Sequence, residues 1–185
     1  MAYEAKNFEH LIGLSGFSEQ LLKNHFTLYQ GYVNNTNKLL DTFSTMTREG
    51  KTGTSEFAEL KRRFGWEFNG MRLRKIFDKK GKLFKKLIES FGSYETWEKD
   101  FLTEGAMRGI GWAVLYYDVP AGKLFNVWVN EHDVGHLSGA VPILVIDVFE
   151  HAFMLDYGLK RADYLTVFIR AVDWDEAEKR FSKAV

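Results

Sequence analysis

Any chemistry in this chain rests on oxygen and nitrogen donors, because Cys is absent and only five His are present. Without sulfur ligands no disulfide, iron–sulfur cluster or thiolate zinc site can be built. Asp147 and His151 stand four residues apart in PILVIDVFEHAF, where an apolar strand-like run passes into a helical pattern. That spacing can turn both side-chain heads toward one point, as two metal ligands require. It equally fits a strand-end carboxylate capping the helix that follows, with His151 one turn on. His25 lies on the apolar face of a helical pattern, placed either to ligate or to serve as a hydrogen-bonded core histidine. Two His and one Asp would form a donor set suited to iron or manganese more than to structural zinc. His132 and His136, in NEHDVGH, fall on a loop after a strand, and His10 reads as surface.

The elements that position these residues follow from periodicity. Ser18 is a good N-cap, and Leu21, Leu22, His25, Phe26, Tyr29, Tyr32 and Val33 recur at helical steps that continue to Leu39, Leu40 and Phe43. A turn at REGKTG separates this helix from a second pattern over about Ser55–Phe77, so the two form an antiparallel hairpin. Between Arg72 and Lys86 eight basic residues accompany one acid, Asp78. Stacking aromatics and a wider basic surface are lacking, so this run reads as a solvated helix face or linker. A helix over Tyr94–Met107 then precedes strands at Trp112–Tyr117, Leu124–Val129 and Val141–Ile146. Helical patterns follow at Phe149–Tyr157 and Ala162–Val172, with Asp173 capping a last helix over Trp174–Lys183. The expected fold is α+β: an N-terminal antiparallel helical hairpin over residues 1–85, then an α/β domain with a three-stranded antiparallel sheet over residues 86–185.

Composition agrees with a folded chain. Its 185 residues are 45% hydrophobic and 16% aromatic, which excludes a disordered protein. Lys plus Arg and Asp plus Glu are each 25, so no global field attracts nucleic acid or a membrane. No basic n-region precedes an apolar run at the N-terminus, and no stretch has the length of a membrane span. A cytoplasmic protein is therefore expected.

The segment DVFEHAFMLDYGLKRADYL closely resembles the signature of the iron/manganese superoxide dismutases, in which Asp and His flank Trp-Glu. SFGSYETWEKDF with GAMRGIGWAVLYY, and NHFTLYQGYVNNTNKLL, resemble two further stretches in the family's order. The resemblance implies one Fe or Mn per subunit and disproportionation of superoxide, in a homodimer or a tetramer. It implies His25, Asp147 and His151 as metal ligands. It also implies Tyr32 as gate of the substrate funnel, Trp112 as its wall and Arg161 at its mouth. Glu150 would bridge to the ligand histidine of the other subunit, and His132 would hydrogen-bond metal-bound solvent, with Gly70 the accompanying small residue on the second helix.

Three departures carry expectations of their own. Where the family places its fourth ligand, a His on the second helix, this chain has Arg74, and no His lies between Asn34 and His132. A guanidinium stays protonated and does not ligate. Glu67 shares that helix face but lies about 10 Å up the axis, too far to substitute. The gate follows His25 after seven residues instead of eight, which predicts a first helix without a π-bulge. The intersubunit His–Tyr bond maps to Tyr29 and Met154, so a more apolar contact is expected. Two readings compete with a dismutase: a metal-poor member serving as a dimeric binding module, and a mononuclear iron site for O₂ chemistry.

Overall fold

The structure, a computed structural model, describes residues 2–72 and 81–185. Two long helices come first. Helix α1 spans Glu19–Arg48, and the Ser18 hydroxyl caps it by accepting from the Leu21 amide. It is α-helical without interruption through His25 and Tyr32, as the seven-residue spacing predicts. Helix α2, Ser55–Arg72, returns antiparallel, and Phe43 on α1 packs edge-on against Phe57 and Phe64 of α2. Arg74 lies outside the described residues.

Helices α3 (Lys82–Phe91) and α4 (Tyr94–Gly105) lead into strand β1, Gly111–Asp118. Strands β2 (Lys123–Asn130) and β3 (Val141–Asp147) flank β1 in the order β2-β1-β3, and both pairings are antiparallel. The central strand is buried on both faces because its side chains alternate between two cores. Ala113, Leu115 and Tyr117 join a large cluster with Leu83, Leu87, Trp97, Phe101 and the C-terminal helices. Trp112, Val114 and Tyr116 face the other way, with Val129 and Val145. Register then places Trp112 opposite Asp147, so the strand that supplies the carboxylate is aligned with the strand that supplies the indole.

The chain after β3 differs from the single helix expected over Phe149–Tyr157. A 3-10 turn, Glu150–Ala152, is followed by a one-turn helix α5, Met154–Tyr157. The break falls at Phe153, whose φ of −140° lies outside the helical region. Its ring is buried and stacked on Tyr164, so core packing overrides local helical tendency. Helices α6 (Arg161–Ala171) and α7 (Trp174–Ala184) close the fold, and Asp173 caps α7 by accepting from Glu176. No helix among the described residues is long and apolar enough to cross a membrane.

Candidate metal centre

Three side chains from three separate elements converge. His25 comes from the exposed-to-buried boundary of α1, Asp147 from the last position of β3, and His151 from the 3-10 turn. Each offers one ligand atom, and these atoms lie within 4.8 Å of one another. Asp147 Oδ2 stands 3.3 Å from His151 Nε2, and the His25 and His151 ring centroids are 6.0 Å apart. Two donors each about 2.1 Å from a shared ion sit roughly 3 Å apart at a right angle and 4 Å apart when opposed. Side-chain shifts of under about 1 Å would satisfy that geometry, so the donor set fits a mononuclear ion of the iron or manganese type.

Asp147 is fixed from several sides. Its Oδ1 accepts the Phe149 amide at 3.0 Å, closing a short turn, and its carbonyl accepts the Tyr164 hydroxyl at 2.7 Å. The carboxylate does not cap the helical turn that follows, whose N-cap position is Phe149 with no side-chain cap bond; one oxygen closes the short turn ahead of it, while the other faces His151. That division explains how a spacing of four works without a continuous helix.

A second shell of rings surrounds His132, which is fully buried at 1% exposure although it lies on a loop. Trp112 Nε1 donates to His132 Nδ1 at 3.1 Å, and His132 Nε2 lies 2.9 Å from the Tyr32 hydroxyl. An indole nitrogen can only donate, so Nδ1 is an acceptor and the neutral ring carries its proton on Nε2. His132 therefore donates to Tyr32, and the phenol's own proton is not used in that bond. Phe149 stacks on His132 at 4.8 Å and on His151 at 5.5 Å, linking the two imidazoles through one ring. Trp66 of α2 meets His132 edge-on at 4.6 Å.

Gly70 has a steric reason. A Cβ there would sit 2.7 Å from the Tyr32 ring, closer than side chains tolerate, so Tyr32 occupies space only glycine leaves. Arg161 donates from Nη1 to the Met107 carbonyl at 2.7 Å and from Nη2 to that of Gly109 at 2.9 Å. It thereby anchors the segment entering β1 just ahead of Trp112. Glu150 is solvent-exposed beside His151. Glu67 is buried, pairs with Arg63 at 2.9 Å and accepts from Asn35 at 3.1 Å, so its carboxylate is committed within the hairpin. Tyr29 accepts from the Lys6 amide and packs on Phe8.

Residues 79–180 match the family model for the iron/manganese superoxide dismutases, C-terminal domain. A manganese superoxide dismutase of Haloferax volcanii is 38% identical over 179 residues, 91% of this chain and 88% of that protein. The chain belongs to the iron/manganese superoxide dismutase family. An iron enzyme of Sulfolobus acidocaldarius is 33% identical over 84% of this chain and 80% of its own length. One of Aquifex pyrophilus is 32% identical over 93% of this chain and 87% of its own. The dismutase-family fold, a helical pair joined to a three-stranded antiparallel sheet with helices, is the fold found here. Phe149, Trp66 and Asn69 belong to the same surroundings, and Trp66 and Asn69 carry no signal of their own in the sequence. Phe149 alone could have been singled out, since it lies between Asp147 and His151.

Proposed function

We propose that this protein is a superoxide dismutase whose iron or manganese ion is held by His25, Asp147 and His151, one ion per subunit. The observation that carries the reading is the meeting of those three donors within 4.8 Å, with His25 more than a hundred residues from the other two in the chain. When bound, the ion would supply a one-electron couple, so that one superoxide leaves as dioxygen and the next, with two protons, as hydrogen peroxide. Tyr32 would offer its phenol proton at the entrance, since its oxygen already accepts from His132 Nε2. His132 and Trp112 would hold that phenol in place, and Phe149 would keep water from the flank of both imidazoles. Arg161 would add positive charge at the mouth while fixing the loop ahead of β1. The resemblance aligns Arg74 with the family's fourth ligand, and a guanidinium stays protonated and does not ligate, so three protein donors would hold the ion.

We assign a homodimer, with a tetramer as the alternative. Glu150 would reach across to the partner's ligand histidine, and Met154, Leu155 and Leu159, exposed by 43, 54 and 90%, lie next to it in the chain. We place the protein in the cytoplasm, with superoxide as its substrate and no nucleic-acid or membrane partner.

A metal-poor binding module is the second reading, favoured by the lack of any His between Asn34 and His132. Elemental analysis with a superoxide assay separates the two. Protein grown with iron or manganese should carry about one ion per chain and consume superoxide. Where metal falls short of one ion per chain, Arg74→His should raise its occupancy. Metal well below one ion per chain, unchanged by Arg74→His and without turnover, would establish the second reading.

A further inference from the structure

His132 is buried on a loop, where nothing in regular secondary structure fixes a side chain to the accuracy that two ring hydrogen bonds need. Its backbone is held instead. The carbonyl of His132 accepts from Asn69 Nδ2 at 2.8 Å and lies 2.9 Å from His136 Nε2. The Tyr116 hydroxyl stands 2.6 Å from His136 Nδ1. A carbonyl can only accept, so Nε2 of His136 bears the proton and Nδ1 takes the hydroxyl of Tyr116. Burial pushes the Tyr116 phenol up to about 12, which keeps it a donor across the ordinary pH range. The 3.3 Å approach of Asn69 Nδ2 to His136 Nε2 is then two donors aimed at one oxygen.

The loop is bent tightly to make this possible. Asn130 and Val134 bridge across its base, Glu131 adopts a φ of 52°, and Gly135 one of 101°. A Cβ at Gly135 would lie 2.7 Å from the Trp128 carbonyl oxygen, so only glycine lets His136 turn back onto His132. A left-handed non-glycine residue persists where its surroundings over-determine it. Here Asn69 from α2 and Tyr116 from β1 close on the same loop, one from each half of the molecule.

We propose that His136 is a positioning residue, which with Tyr116 and Asn69 sets the height and ring orientation of His132 against Tyr32 and Trp112. The role is positional and not a proton path, because the chain of bonds ends on the His132 carbonyl, which has no proton to pass. The inference deepens the dismutase reading and rests on it for its effect on turnover, but not for its effect on the His132 ring.

The test compares His136→Leu with His136→Gln, since glutamine retains a donor for the carbonyl and an acceptor for Tyr116. Nitrogen-15 spectra of the histidine rings, taken with zinc as a diamagnetic ion, should show His132 as one neutral Nε2–H tautomer. In His136→Leu that signal should average between tautomers, and kcat for superoxide on the iron- or manganese-loaded protein should fall about tenfold with KM changed less than about twofold. His136→Gln should restore the signal and recover kcat to within about threefold, while Tyr116→Phe should fall between the two. An unchanged His132 signal and unchanged kcat in His136→Leu would overturn the proposal, as would a glutamine variant no better than leucine. If the unaltered protein turned over no superoxide, the dismutase reading would fall, and the ring spectra would still decide the role of His136.

Discussion

The two halves of the candidate site are held by different means. The sheet half, with Asp147, Trp112 and the turn to His151, is set by strand register and by bonds to backbone groups. The hairpin half, with His25 and Tyr32, is set by helical phase along α1 and by the clearance at Gly70. Register is quantised, because a slip of one residue reverses every side chain. Helical phase is a softer constraint that neighbouring helices must reinforce. The lesson is that strand register and helical phase place candidate donors with different tolerance, and the two halves should respond differently to substitution.

The sharpest break in that comparison is a pair of substitutions. Asp147→Ala and His25→Ala should each reduce bound iron or manganese to under about a tenth of the unaltered level. In chelator, where the ion contributes nothing, Asp147→Ala should cost about 1–3 kcal/mol, because the Phe149 amide and His151 lose their acceptor. His25→Ala should cost less than Asp147→Ala, because its half-buried place on α1 is set by helical phase and not by strand register. Denaturant unfolding of both measures this. Equal losses would remove the distinction between the halves.

Gly70→Ala probes the hairpin side directly. A helix interior ordinarily gains about 1 kcal/mol from such a change, but here the methyl must displace the Tyr32 ring. The expected result is a net loss of about 1–2 kcal/mol. A crystal structure of the variant should show the Tyr32–His132 bond broken. A gain in stability with Tyr32 in place would show that the clearance does not constrain Tyr32.

The smallest effect lies in the sheet half, away from the metal donors. Burial, with Asp100 one turn away, pushes the Glu104 carboxyl up to about 7, and its buried Oε2 has no hydrogen-bond partner among the described residues. Because the folded value is raised, the protonated form favours folding. Its contribution is complete below about pH 4.5 and is lost as pH rises through about 7. Glu104→Gln should therefore leave stability unchanged near pH 4.5 and raise it by about 1 kcal/mol at pH 8, after discounting for partial exposure. A parallel pH profile in both proteins would contradict the assignment.

Much of this arrangement is legible in the residues themselves. Short runs rich in β-branched, aromatic and other apolar residues, bounded by turn residues, locate all three strands to within about a residue. Asp147 and His151 can be paired by spacing alone, and Ser18 and Asp173 by capping chemistry. Two things are not legible. The break at Phe153 depends on the Tyr164 ring, a contact between segments that no local pattern encodes. The enclosure of His132 by Phe149, Trp66, Asn69 and His136 draws on α2 and on two loops, whose meeting is a product of the fold. Arg74, which the sequence resemblance alone aligns with the family's fourth-ligand position, lies outside the described residues.

Anomalous diffraction at the iron and manganese absorption edges, from crystals of protein supplied with each metal, tests the central claim most directly. The expected map has a single peak per chain within bonding distance of His25, Asp147 and His151. A metal-replete crystal with no peak among these three side chains, or with the peak on other residues, would contradict it.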